Sequence, residues 1–241
     1  IDDALFTYGK SQVGLDLEVA FDRWAFDGLD IHVRTLNNTL LPAACFVPFL
    51  QIKANAACDL NITVGTNSTS LTGRVDTYDT IAYLSLGGND VEENSNYSFN
   101  MDLIVNIAPK SKLFYPNQDN PIIRGLVTAN QPLHLIIDDA GFSMTGDLSI
   151  KGGEILYLSR NFYLKEGRII FDRTAGGFDP IITFKAEIPE RDEYGEIIKI
   201  ILKADSQRLS NFSPVLTSDP LRSDIEIRSL LGQAFLGDSV M

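Results

Sequence analysis

Apolar and polar side chains alternate along this chain with a period of two, run after run. Val13, Leu15, Leu17, Val19 and Phe21 are apolar, with Gln12, Asp16 and Glu18 set between them. The pattern returns over 29–33, 60–64, 99–107 and 142–150. Successive residues of a strand point to opposite faces, so each run reads as a strand with one apolar and one wet face. Such a set of strands must hide its apolar face. A sandwich hides it against a second sheet, a small barrel fills itself with side chains, and a trough uses foreign hydrocarbon.

Turn signals punctuate the later runs at 138–141, 151–153, 166–167, 176–177 and 191–196, with strand starts near 133, 142, 154, 168, 180 and 197. Short strands joined by tight turns predict an antiparallel meander. Gly65 to Ser70 reads as a polar turn and Gly87 to Asn96 as a longer strandless loop. Ile155 to Leu158 and Ile169 to Phe171 are apolar on both faces, which suits a tightly curved region. Helical spacing emerges only at the end. Ser218-Asp219-Pro220 offers one start, and Ser223 with Glu226 offers a capping box. Leu221, Ile225, Leu230, Leu231, Ala234 and Phe235 then define one apolar face of an amphipathic helix over 220–236, with Gly237 as its stop. The chain thus divides into a β domain over 1–216 and a helix within 217–241.

Composition narrows the function. The 241 residues carry 20 basic and 32 acidic side chains, a formal net charge of −12. Phosphate binding needs Lys and Arg to displace counterions, so nucleic acid is not an expected partner. The apolar stretch Leu40–Leu50 is too short to span a bilayer as a helix and contains two prolines. Ile1 as the first residue, with no signal peptide, suggests a fragment or mature portion whose membrane anchor lies elsewhere. A transmembrane barrel would need aromatic girdles and longer strands than these runs.

No catalytic constellation stands out. His32 and His134 are the only histidines, there is no nucleophile elbow, and the glycine pairs lack a following Lys-Ser/Thr. Acid pairs such as Asp138-Asp139 lie in turn-like stretches, and neither histidines nor cysteines have zinc spacing. Cys45 and Cys58 fit either a small disulfide loop or two small buried hydrophobes. The expectation is a protein that is not an enzyme and carries neither metal nor cofactor.

One segment carries a family likeness. It includes Leu148-Ser149-Ile150-Lys151-Gly152-Gly153-Glu154-Ile155 leading to Tyr157, then Asn161-Phe162-Tyr163-Leu164-Lys165-Glu166-Gly167-Arg168-Ile169-Ile170-Phe171. Phe178-Asp179-Pro180-Ile181-Ile182, Lys185-Ala186-Glu187, Ser218-Asp219-Pro220 and Ile227 to Gln233 complete it. From Phe142 onward the chain resembles the C-terminal domain of the TamB family, in the AsmA-like clan of envelope proteins of diderm bacteria. The resemblance implies an all-β fold, a curved and incompletely closed antiparallel β-trough (a β-taco). It implies a periplasmic stretch of an inner-membrane-anchored protein that reaches the outer membrane. Such a protein conducts phospholipid and partners an outer-membrane assembly barrel of the BamA/TamA type.

Alternation then assigns the expected lining. Leu148, Ile150, Ile182, Phe184, Ala186, Ile188, Ile198, Ile200, Leu202 and Ala204 face the groove, while Lys185, Lys199 and Lys203 face water. Leu221, Ile225, Leu230, Leu231 and Phe235 are expected to dock in the groove mouth or on the partner. The competing reading is a non-transporting scaffold with an ordinary β core.

Overall fold

The computed structural model describes residues 3–47, 50–84, 97–117, 119–173 and 179–232. Fifteen strands join in one mixed sheet, followed by a single short helix. The alternating runs become β1 (Ala4–Tyr8), β2 (Ser11–Asp22), β3 (Ala25–Leu36), β4 (Leu41–Val47), β5 (Leu50–Gly65), β6 (Ser68–Leu84) and β7 (Ser98–Ile107). They continue as β8 (Ser111–Tyr115), β9 (Ile123–Ala129), β10 (Leu133–Asp138), β11 (Gly141–Tyr157) and β12 (Arg160–Phe171). The sheet ends with β13 (Ile181–Arg191), β14 (Ile197–Arg208) and β15 (Val215–Asp219), and α1 is Asp224–Leu230.

Two 17-residue strands, β6 and β11, act as rails. Between them run two storeys: β7 and β10 below, β8 and β9 above. β6 pairs parallel with both β7 and β8, whereas the other ladders are antiparallel. The expected meander is therefore interrupted in mid-chain, where the crossover includes residues 85–96, outside the described residues. From β10 through β15 it holds as an unbroken antiparallel series.

Two expected turns are bulges instead. Lys151-Gly152-Gly153 lies inside β11, where the register against β9 shifts between Ile150 and Gly153. A Cβ on Gly153 would sit 2.1 Å from the Arg124 carbonyl oxygen, at a φ of 138°. Only glycine fits so close an approach. Glu166-Gly167 likewise lies inside β12, at a register shift against β13. The expected strand starts at 154 and 168 are therefore interior positions, and the hairpin turns instead at Leu158-Ser159, both with positive φ. The turns at 138–141 and 191–196 stand as expected, the first fixed by Ala140 N–H donating to Asp138 Oδ1. Gly176-Gly177 falls outside the described residues.

The helix is shorter than its sequence pattern. It spans Asp224–Leu230 rather than 220–236, and Ser223 caps it through the reciprocal Ser223–Glu226 pair. Ser218 is not a cap: its hydroxyl accepts from Arg222 N–H and donates to the Pro220 carbonyl oxygen. β15 runs through 215–219, so the sheet crosses the expected boundary at residue 216. Ala234, Phe235 and Gly237 lie outside the described residues.

Candidate functional site

Cross-strand register tells which side chains share a face. Ala4, Leu15, Val33, Leu60, Gly73, Leu103, Leu135 and Met144 form one row across successive strands. Leu17, Ile31, Ile62, Leu71, Met101, Ile137 and Phe142 form the next. Because the side-chain period is two, every ladder neighbour keeps its apolar set on this inner face. From β1 to β7 the ladder-paired positions of this face carry no charged side chain, and Asp27 falls at the register shift of β3 against β2 without a ladder partner. The acids and bases of these strands, Asp16, Glu18, His32, Arg34, Asp59 and Asp102 among them, occupy the outer face.

The outer face is held by charge pairs across strands. His32 Nε2 lies 2.6 Å from Asp59 Oδ1, and Arg34 reaches Asp3 at 3.0 Å and Asp16 at 3.2 Å. The Asp3 backbone N–H donates to Asp16, which with Arg34 and His32 holds that carboxyl below its ordinary range. His134 meets Asp102 at 2.6 Å. Each histidine is thus a strut between neighbouring strands.

The two cysteines are free and far apart. Cys45 pairs with Ile52, and Cys58 is six residues further along the same strand, about 20 Å at the rise of a strand. A disulfide needs Cα atoms within about 7 Å, so the bridge is excluded. Burial raises the pKa of both thiols, which keeps them protonated and weak as nucleophiles. Among the described residues no group of three or more His, Cys, Asp or Glu side chains is placed to hold a metal. No described helix is long and apolar enough to cross a membrane.

The expected lining residues gather in one cluster. Leu148, Ile150, Ile182, Phe184, Ala186, Ile198, Ile200, Leu202 and Ala204 are all buried in the core, and Ile188 packs against it. Among the described residues, cavities of about 30 and 20 Å³ lie in this cluster, both lined almost wholly by apolar groups. Leu50 and Ile52 of β5 line the smaller together with Phe171 of β12, five steps away in sheet order. Helix α1 adds Ile227 and Leu231 to the core, with Leu230 packed at its edge. Leu221 precedes the helix and is exposed, as is Ile225, so the docked seam is Ile227–Leu231. Arg222 fixes the approach through an ion pair to Asp192 at 3.1 Å.

Sequence reasoning missed how burial changes along the face. Met101, Leu103 and Val105 of β7 are 4, 7 and 4 % exposed, whereas Val19 of β2 is 41 % exposed. Leu15, Leu29, Ile31 and Val33 lie between these extremes and outside the core. Phe21, Trp24 and Phe26, at the β2–β3 tip, are exposed. No signal in the alternation separates the two zones, because both obey the same period. Comparison with protein-family models and with curated proteins gives no match to this chain.

Proposed function

We propose that this chain is part of a bacterial envelope protein that binds phospholipid and conducts it between the inner and outer membranes. In this reading the sheet is a curved, incompletely closed trough in the periplasm, belonging to a protein anchored in the inner membrane. The observation that carries it is the apolar face that continues strand after strand from β1 to β7, with no charge at its ladder-paired positions and the paired charged side chains on the opposite face. Hydrocarbon asks for no polar partner and is held by burial alone, at about 0.8 kcal/mol per methylene. A second role, docking an outer-membrane assembly barrel of the BamA/TamA type, is supported by the outer edges of β1 and β15. These strands end the ladder among the described residues and offer backbone for strand addition.

A specific observation favours the scaffold reading for the C-terminal strands, where Ala186, Ile198, Ile200 and Leu202 are fully buried as in an ordinary core. Solvent extraction and mass spectrometry of the purified protein separate the two. A conduit retains phospholipid in clear excess over a control protein purified in parallel. Phospholipid at the control level overturns the proposal and leaves the scaffold.

A further inference from the structure

Building on the phospholipid reading, we infer that the inner face is divided. An acyl-chain site lies open over β1, β2, β3 and the adjoining ends of β5, β6 and β7 as far as Phe99, and a sealed wall begins at Met101 of β7. Exposure sets the boundary. Val19, Phe21 and Phe26 are 41, 66 and 44 % exposed, and Phe99, which shares the row of Val19 on β7, is 44 % exposed. Met101, Leu103 and Val105 further along β7 are 4, 7 and 4 % exposed on the same face. Beyond the wall, among the described residues, the apolar cavities of about 30 and 20 Å³ are no larger than a water or two, at about 10–15 Å³ per water, and neither has room for an acyl chain.

The open part suits hydrocarbon better than polypeptide. Leu15, Leu29, Ile31 and Val33 offer neither donor nor acceptor, so an extended segment laid over them would bury backbone N–H and C=O groups without partners. A second copy of this chain would bring another formal charge of −12 against the first. The strand is also long enough to cover an acyl chain. Val13 to Phe21 covers eight residue steps, about 26 Å at the strand rise. One acyl chain reaches about half of a hydrocarbon core roughly 30 Å thick. The tip of the β2–β3 hairpin forms the mouth, where Trp24 is fully exposed beside Phe21 and Phe26.

Trp24 is the only tryptophan, so the chain carries its own reporter. The experiment mixes protein with vesicles of phosphatidylcholine brominated on the acyl chain, or unbrominated, and reads tryptophan quenching. Three proteins are compared: the unaltered chain, Trp24→Phe with Leu15→Trp, and Trp24→Phe with Phe184→Trp. Quenching of the first two by brominated lipid, at least several-fold above that of the third, is the expected result. Ile31→Glu in the unaltered chain should abolish the quenching of Trp24 while circular dichroism keeps its sheet signal. Equal quenching at Leu15 and Phe184 positions overturns the sealed wall but leaves the lipid reading intact. No quenching at Leu15, with phospholipid present in the extract, overturns the open site. If the extract also holds no phospholipid, the lipid reading itself fails. A Leu15→Trp protein shielded from lipid and eluting as a dimer assigns the face to a second copy and overturns the acyl-chain site. Should Phe184→Trp lose the native dichroism, Phe162→Trp replaces it as the sealed-zone reporter.

Discussion

Asp147 and Arg168 meet across β11 and β12 through a two-pronged bond, with Arg168 Nε 3.0 Å from Oδ1 and an Nη 2.6 Å from Oδ2. The Asp147 side chain is 13 % exposed, so its charge depends on that partner. Arg168 and, more weakly, Asn130 hold its carboxyl below the ordinary carboxylate range, against the opposing effect of burial. A carboxyl that is more acidic in the folded chain than in the unfolded one stabilises the fold above the unfolded value, near 3.9. That contribution is lost as the pH falls through the folded value. Asp147→Asn should therefore lower stability most at pH 7, with the gap to the unaltered protein narrowing towards pH 3. Urea unfolding at a series of pH values checks this, and a gap independent of pH would count against it. The pair was invisible in the sequence, where Asp147 was one of the wet positions of an alternating run.

At the scale of elements, glycine chemistry reached further than sequence reasoning allowed. Gly152-Gly153 and Glu166-Gly167 carry turn residues, yet each bends a long strand instead of ending it. Local propensity cannot distinguish a bulge from a hairpin, because both need positive φ or close backbone approach and differ only in what pairs beyond. The helix shows the same limit. Its capping box was legible from Ser223 and Glu226, but the face it buries was not. Ile227 is 1 % exposed and Ile225 is 60 % exposed. Ile227→Ala should cost about 2–4 kcal/mol and raise apolar-dye binding, while Ile225→Ala should stay within about 0.5 kcal/mol. Thermal melts of the two variants decide it. Equal losses would mean that the helix does not dock by its Ile227 side alone, and a larger loss at Ile225 that it docks by the other side.

Over the whole molecule, one apolar face serves as a closed core at its C-terminal end and stands open at its N-terminal end. Stability should therefore be unevenly distributed. Leu202→Ala, at a fully buried position, leaves a cavity and should cost about 2–5 kcal/mol. Ile31→Ala removes a side chain that lies outside the core and should cost about 1 kcal/mol or less. Denaturant titration of both variants tests the division without any lipid present, and similar losses would show that β3 is as much a part of the core as β14.

The sequence alone determined the alternating runs, their two faces and the side that holds most of the charge, because a period of two is a property of each strand by itself. It also located the capping box and the turns at 138–141 and 191–196, where the signals act within a few residues. Tertiary structure decided the rest: the parallel pairing of β6 with β7 and β8, the separation of Cys45 from Cys58, and the change from open face to core. These depend on which strands become neighbours and what faces them across the sheet. Two strands with identical alternation are buried or open according to what is packed opposite, and alternation contains no record of that.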